Sequence, residues 1–156
     1  MPKVMTDPEV RLLAGLASTL EIDYQQDDVA WAGSPFAWIR SRPSRQRGKI
    51  GEQLVAGWCA AHDLDVLSPP DSNCDRMLAG LRAEIKFSTW WAQGGYTFQQ
   101  FRNQAYDVAI CLGISPFDAH CWTIPKTVLL QNVIGHLPQH TGAGGTDTFW
   151  IQSLDP

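Results

Sequence analysis

The stretch Asp75-Arg-Met-Leu-Ala-Gly-Leu-Arg-Ala-Glu84-Ile-Lys86 decides the fold, because its pattern predicts two short strands joined by a turn. From residue 81 to residue 88, apolar and polar residues alternate strictly, which is typical of a β-strand with one buried face. The apolar side consists of Leu81, Ala83, Ile85 and Phe87, and the polar side of Arg82, Glu84, Lys86 and Ser88. Glu84 and Lys86 therefore share one face of the strand, about 6.6 Å apart.

The turn between the two strands determines which carboxylates meet. If Ala79 and Gly80 form a two-residue turn, Asp75 lies directly opposite Glu84. Carboxylates paired across strands, about 5 Å apart, repel each other unless they share a proton or bind a cation. Ala-Gly is not a favoured sequence for such a turn, so a register shifted by one residue stays open.

Two clustered carboxylates, with no Cys/His cluster beside them, suit a hard divalent cation. We therefore expect Mg²⁺, with Mn²⁺ as a substitute. Such an ion could polarise a scissile phosphate and lower the pKa of a bound water. Lys86 could stabilise the additional negative charge of the transition state, or help to position and deprotonate the attacking water. The alternative interpretation is an amphipathic hairpin with a solvated charged face.

A helix is predicted over residues 44–62, with Ser44 as its N-cap. Its apolar stripe consists of Ile50, Leu54, Val55 and Trp58. Glu52 lies at the margin of that stripe, so it could point toward the hairpin and supply a third carboxylate. Alternatively, Glu52 is simply an acidic residue that is favourably placed in the first turns of the helix.

The order of these motifs resembles the PD-(D/E)XK nuclease superfamily over about residues 44–125. The resemblance is carried by Gly48-Lys-Ile-Gly-Glu52 on a helix, then Asp75, then Glu84-Ile-Lys86 after an eight-residue gap. It implies that Asp75, Glu84 and Glu52 are catalytic and bind the metal. It also implies that Lys86 is the catalytic lysine.

The first acid of the motif departs from the family pattern. Cys74 precedes Asp75 where the family has proline, whereas Pro69-Pro70 precedes Asp71 a few residues upstream. Asp71 therefore remains an alternative first acid. We prefer Asp75, because it lies within hairpin distance of Glu84 and Asp71 lies in a Ser, Pro and Asn stretch typical of a loop.

The resemblance implies an α/β fold with a restriction-endonuclease-like core, in which helices flank a central mixed β-sheet. The family core is a helix, a three-strand meander, a second helix and a further strand. A chain of 156 residues with 44% hydrophobic residues suits one domain. We divide this domain, 1–156, into an N-terminal helix and basic lead-in (1–43), a catalytic core (44–125) and a C-terminal extension (126–156).

Further elements are predicted on both sides of the hairpin. Thr6-Asp7-Pro8-Glu9 is a good start for an added N-terminal helix, which we expect to pack on the core through Leu12, Leu13, Leu16 and Leu20. Beyond the hairpin the patterns predict a helix at 97–105, strands at 107–114 and 120–124, a helix at 125–133, a loop at 135–146 and a last strand at 148–153.

The chain lacks a secretory leader and any apolar run of about 20 residues, so we expect a cytoplasmic protein without a membrane partner. Cys59, Cys74, Cys111 and Cys121 show no C-x-x-C spacing, and we expect them to be buried and reduced.

Despite a net charge of −4, five of the 12 Lys and Arg residues lie within residues 40–49, in a region without acids. Arg45, Arg47 and Lys49 are therefore candidate phosphate contacts, although they could also form a solvated basic loop.

Three residues after the E-x-K strand are further candidates for binding DNA. Trp90 could stack on a base. Gln100 and Arg102, on the predicted helix at 97–105, are of the types that contact purine edges.

Taken with the resemblance, these residues predict a Mg²⁺-dependent DNA endonuclease, most like a small type II restriction endonuclease. Cutting both strands of duplex DNA with so small a chain implies a homodimer. Two alternatives stay open. One is a structure-selective or recombination nuclease, similar to the junction-resolving branch of the superfamily, and the other is a non-catalytic DNA-binding module with the same fold.

Overall fold

The structure is a computed structural model that describes residues 3–92, 94–136 and 149–153. The helices of the described residues are α1 (Pro8–Ala30), α2 (Ala37–Arg40), α3 (Ser44–Ala61) and α4 (Lys126–Asn132). The strands are β1 (Val66–Leu67), β2 (Arg76–Leu78), β3 (Leu81–Thr89), β4 (Tyr96–Phe101), β5 (Val108–Ile114), β6 (Ala119–Pro125) and β7 (Phe149–Ser153).

A mixed sheet in the order β1-β2-β3-β5-β6 forms the centre of the fold. Its strands pair antiparallel except β3 and β5, which run parallel from the pair Ala83↔Val108 to the pair Thr89↔Ile114. Helix α3 packs on one face of β3, while β4, which pairs with β7, lies against β3 as part of a second sheet. The prediction of an α/β fold, with a central mixed sheet flanked by helices and an added N-terminal helix, is confirmed.

The hairpin has the register that the two-residue turn predicts. Leu78 pairs with Leu81 and Arg76 pairs with Ala83, so the register is not shifted by one residue. Ala79 and Gly80 have φ values of 50° and 81°, and two positive φ values are what a type I′ turn requires. The chain adopts this turn although its first residue is not glycine.

The strands predicted at 107–114, 120–124 and 148–153 and the helix predicted at 125–133 are confirmed as β5, β6, β7 and α4. Of the loop predicted at 135–146, all but the first two residues lie outside the described residues.

The helix predicted at 97–105, and with it the second helix of the family core, is wrong, because this segment forms β4. A register shift in the pairing of β4 with β7 lies between Phe98 and Phe101. This bulge places both phenylalanines in the core, three residues apart. A spacing of three is also the spacing of a helix face, which is why the pattern predicted a helix.

Helix α3 has the predicted bounds to within one residue, but its buried face is different. Ser44 is its first helical residue and Pro43 is the N-cap. The buried positions are Gly51, Val55 and Cys59, whereas Trp58 is 61% exposed. A Cβ on Gly51 would overlap Phe87, so this glycine lets the helix approach β3 most closely. The predicted stripe contained only large apolar residues, so it missed the contact between Gly51 and Phe87.

Helix α1 begins as predicted, because the side chain of Asp7 accepts a hydrogen bond from the N–H of Glu9 at 2.8 Å. The expectation that its four leucines pack on the core is wrong, since all four are more than half exposed. The elements that pack on β3, at the centre of the sheet, are α3 and β4. Trp31, directly after the helix, is the buried anchor.

All four cysteines are free, and three of them are buried as expected, whereas Cys121 is exposed on β6. Among the described residues, no helix has the length and apolar character needed to cross a membrane.

The contact between α3 and β3 can be tested with a pair of glycine variants. Gly51→Ala is expected to destabilise the fold by about 1–3 kcal/mol, because the added methyl group overpacks the interface with Phe87. Gly57→Ala, on the same helix with no described atom within 4 Å of the new Cβ, is expected to stabilise it by up to about 1 kcal/mol. Urea unfolding measures both values, and equal effects would contradict the close approach at Gly51.

Candidate active site

The candidate site lies beside the first residue of β2, where β3 continues without it. β2 begins at Arg76, which pairs with Ala83, so the edge of β3 beyond Ala83 has no partner from β2. Asp75 lies at that edge, and its backbone N–H donates to the carbonyl of Ala83 at 2.9 Å. Its carboxylate Oδ2 accepts a hydrogen bond from the N–H of Ile85 at 2.7 Å. This bond fixes the carboxylate of Asp75 beside Glu84.

Glu84 and Lys86 form an ion pair on the face of β3 that is opposite to α3. The Nζ of Lys86 lies 3.1 Å from Oε1 of Glu84, and each side chain is only 14% exposed. The same Nζ donates to the backbone carbonyl of Gln100 at 2.9 Å. Side chains with so little exposure do not form a solvated charged face, so this alternative interpretation of the hairpin does not hold.

Glu52 reaches the same site from α3. Its Oε2 lies 3.8 Å from Nη1 of Arg76, and Arg76 also donates to the backbone carbonyl of Asp75 at 2.9 Å. The charges of Asp75 and Glu84 both act on Glu52. The structure therefore brings together Glu52, Asp75, Glu84 and Lys86, which the sequence predicted as one site.

The two glutamates lie where ionisation is unfavourable. Burial raises the pKa of Glu84, and the nearby charge of Asp75 raises it further, whereas Lys86 and Arg102 lower it. Burial likewise raises the pKa of Glu52, with Asp75 and Glu84 adding to the increase and Arg76 opposing it. Clustered carboxylates with raised pKa values are more common at functional sites than elsewhere.

Asp71, the alternative first acid, has a different partner. Its Oδ1 accepts a hydrogen bond from Nη2 of Arg82 at 2.6 Å, and this bond lowers the pKa of the Asp71 carboxyl. The charge of Asp75, in contrast, raises the pKa of Glu84. The geometry therefore favours Asp75 as the first acid.

The predicted phosphate contacts lie on the first two turns of α3. Arg45 and Lys49 are exposed, and the charge of Lys49 acts on Glu52. The Nε of Arg47 is buried and has no hydrogen-bond partner among the described residues. The basic segment thus adjoins the acidic site instead of lying remote from it.

The other candidate DNA contacts are placed unequally. Trp90 is partly buried and packs edge-on against Tyr96, with ring centroids 4.9 Å apart, whereas Trp91 is exposed. Arg102 is exposed close to Glu84. The side chain of Gln100 is exposed, and its backbone contacts the site through Lys86. A role in binding DNA stays a prediction for all of them.

Arg76 and Tyr106 belong to this site but were missed from the sequence. Arg76 follows Asp75 directly in the sequence. Its ion pair with Glu52 of α3, however, is seen only in the structure. Tyr106 is buried close to Glu84, whose charge adds to the effect of burial in raising the pKa of the phenol. Its hydroxyl donates to the carbonyl of Arg102 at 2.8 Å. No sequence spacing signals this contact.

The donor set indicates which cation the site could accept. In the part of the chain that the structure describes, no group of three or more His, Cys, Asp or Glu residues is arranged to hold a metal ion. Mg²⁺ binds through one or two carboxylates and completes its shell with waters and substrate phosphates. Asp75 and Glu84 fit that pattern, and they do not fit a closed zinc site.

No protein-family model and no curated protein matches this chain. Among solved structures, the chain is similar to a bacterial homing endonuclease, I-Ssp6803I, with 17% sequence identity and a TM-score of 0.49. The match covers 73% of this chain and 77% of that chain. A likeness this distant assigns neither a family nor an activity to the chain.

The raised pKa of Glu84 predicts how its replacement affects stability without divalent cations. A raised pKa means that the folded state binds this proton more tightly than the unfolded state, so the ionised form destabilises the fold at neutral pH. We expect Glu84→Gln to increase the Tm by a few degrees at pH 7 in chelator. The difference should vanish as the pH falls below the ordinary glutamate value of 4.5.

Glu21→Gln, at an exposed position of α1, is the control and is expected to leave the Tm nearly unchanged. Calorimetry in parallel buffers provides the comparison. A Tm of Glu84→Gln that falls at pH 7 would show that the ion pair with Lys86 outweighs the cost of burial.

Proposed function

We propose that this chain is a metal-dependent endonuclease that hydrolyses phosphodiester bonds of DNA. The observation that carries the proposal is the convergence of Asp75, Glu84 and Glu52 beside Lys86 at the open edge of β3. An ordinary fold has no need to place two partly buried glutamates, whose pKa values are raised first by burial and then by the charge of Asp75, at one edge of a strand. A site that binds a divalent cation does need them, because the cation compensates the repulsion between the carboxylates.

Asp75 and Glu84 would hold the cation, Mg²⁺ or Mn²⁺, and Glu52 would complete the acidic side of the site. When bound, such an ion polarises a phosphate and lowers the pKa of a bound water. The hydrogen bond from Ile85 orients the carboxylate of Asp75. Arg76, the first residue of β2, lies beside Glu52 and compensates part of its negative charge.

Lys86 has the geometry to stabilise negative charge on the substrate. A protonated amine has three N–H donors and no acceptor. Glu84 and the carbonyl of Gln100 each take one donor, which leaves one for a phosphate oxygen. Two oxygen acceptors suit the charged ammonium, so we assign Lys86 to stabilisation of the transition state and not to deprotonation of the attacking water.

The charge distribution supports DNA as the substrate. Arg45, Arg47 and Lys49 follow one another on the first two turns of α3, where the helix dipole also favours phosphate. Arg102 adds a positive charge close to Glu84. A phosphodiester backbone could therefore cross from the start of α3 to the site. We assign Trp90 and Gln100 to the surface that would flank the bound strand.

We further propose that the substrate is duplex DNA, cut at a fixed sequence as by a restriction-type enzyme. The described chain carries one cluster of this kind, and cleavage of both strands would require two. A symmetric homodimer supplies the second cluster with opposite polarity, which matches the two antiparallel strands.

Cleavage assays with site variants test the proposed activity. Purified protein is incubated with methylation-free phage DNA, with Mg²⁺ or with chelator, and the products are separated on a gel. Discrete fragments are expected with Mg²⁺ alone. Glu84→Ala and Lys86→Ala should lower kcat by several orders of magnitude, whereas Asp71→Asn, the matched control, should retain cleavage. Loss of activity in Asp71→Asn alone would make Asp71 the first acid.

A panel of nicked, single-stranded and four-way DNA substrates then separates the kinds of nuclease. A smear from duplex DNA would indicate a nuclease without sequence preference, and cleavage of four-way substrates only would indicate a junction-resolving enzyme. A folded wild-type protein that cuts none of these substrates would contradict the proposed function and leave a DNA-binding module.

The salt dependence of binding tests the phosphate contacts on α3. The triple variant Arg45→Gln, Arg47→Gln and Lys49→Gln should flatten the slope of log K against log salt concentration. The expected change is about 2.7 if each side chain neutralises one phosphate. Arg11→Gln on α1 serves as control, and fluorescence anisotropy in chelator gives the affinities. An unchanged slope in the triple variant would mean that DNA does not contact the start of α3.

A further inference from the structure

Gln100 adopts a backbone conformation that is rare for its residue type. It lies in β4 with a φ of 63°, in the left-handed region that residues with a Cβ seldom enter. The register shift between Phe98 and Phe101 places it in a bulge. Bulges and left-handed residues of this kind cluster where a group has to be aimed at a functional site. A contact made only in this conformation would explain it.

That contact is the hydrogen bond between the carbonyl oxygen of Gln100 and Nζ of Lys86, at 2.9 Å. In a regular strand this carbonyl would lie in the plane of the sheet, directed along the ladder. The bulge directs it to β3 instead. The ring centroid of Phe101 lies 5.6 Å from the same Nζ, so Gln100 in the bulge and Phe101 directly after it both lie against the ammonium.

We propose that Gln100 is a positioning residue for Lys86, and that its backbone carbonyl, not its side chain, holds the ammonium against Glu84. The inference rests on the function proposed above, because it assigns a support to the lysine of that site. A neutral carbonyl accepts a hydrogen bond and leaves the positive charge of the ammonium in place. A second carboxylate would cancel that charge. The lysine thus stays fixed and its charge stays available to a phosphate.

Two substitutions at this position separate the backbone from the side chain. Gln100→Gly removes the amide but adopts the left-handed conformation freely. Gln100→Val also removes the amide, and its β-branched side chain disfavours positive φ strongly. The difference between the two variants therefore reports the carbonyl alone. Gln99→Val, the same change one residue earlier in β4, is the control.

We expect Gln99→Val to keep kcat within a few-fold of the wild type. Gln100→Val should have a kcat about 100-fold lower than that of Gln100→Gly, the effect of misplacing a reacting group by about 1 Å, with KM and the affinity for DNA in chelator equal in these two variants, since both lack the amide. Gln100→Ala, which adopts positive φ at an intermediate cost, should fall between Gly and Val and replaces Val if that variant does not fold. An equal loss in Gly and Val would overturn the proposal.

The same substitution in a Lys86→Met background tests whether Gln100 acts through the lysine. If it does, adding Gln100→Val causes no further loss of kcat, because the group that it positions is already absent. A further loss as large as in the wild-type background would overturn the proposal, since the carbonyl would then act independently of Lys86.

A measurement that does not require cleavage keeps this inference separate from the proposed function. An ammonium held by two acceptors exchanges its protons slowly, so the wild-type protein and Gln100→Gly should show a ¹H–¹⁵N signal for Lys86 Nζ, assigned by its absence in Lys86→Met. Gln100→Val should lose that signal, and a signal unchanged in Gln100→Val would overturn the proposal. Failure of all proteins to cut DNA, with this pattern intact, would refute only the nuclease activity.

Discussion

The short length of β2 is the constraint on which the site depends. β3 extends past the last residue that β2 can pair with, and the N–H of Ile85 on that open edge is bound by a side chain, the carboxylate of Asp75. A hydrogen bond to a charged acceptor is stronger than one between neutral groups, so Asp75 is fixed with little freedom. Glu84 directly precedes Ile85 in β3, and it must therefore lie close to Asp75. α3 adds Glu52 to the same site, because Gly51 lets the helix backbone approach Phe87.

Backbone geometry thus holds together charges that would otherwise separate. Glu52 and Glu84 have raised pKa values because they are buried near Asp75, and Lys86 and Arg76 compensate this only in part. The free energy for this arrangement comes from the rest of the fold, above all from the two clusters of buried residues on opposite faces of β3 and β5. Sites in which stability is given up for reactivity have this character. The strained backbone at Gln100 adds to the same cost on the other side of Lys86.

Local patterns in the sequence predicted those parts that depend on local chemistry. Alternation along β3 and the symmetric position of Ala79-Gly80 were sufficient for the hairpin register, and hence for the proximity of Asp75 and Glu84. Helical spacing was sufficient to direct Glu52 toward them, although the buried face of α3 differs from the predicted stripe. The parts that failed depend on distant partners. β4 has helical spacing because of a bulge that its pairing with β7 accommodates, and the leucines of α1 are exposed, whereas α3 and β4 pack on β3. The carbonyl of Gln100 could not be found from side-chain types at all.

The parallel pairing of β3 with β5 has a consequence for the order in which the molecule folds. The hairpin of β2 and β3 closes through a two-residue turn, which takes microseconds, and it brings Asp75 close to Glu84 early. The partners of Glu84 and Lys86 on β5 are Ala109 and Cys111, so the chain between them must first close a long loop. Pairings between strands that are distant in the sequence form late and slow folding. We therefore expect the acidic pair to form before the surroundings that bury it, and to become desolvated late in folding.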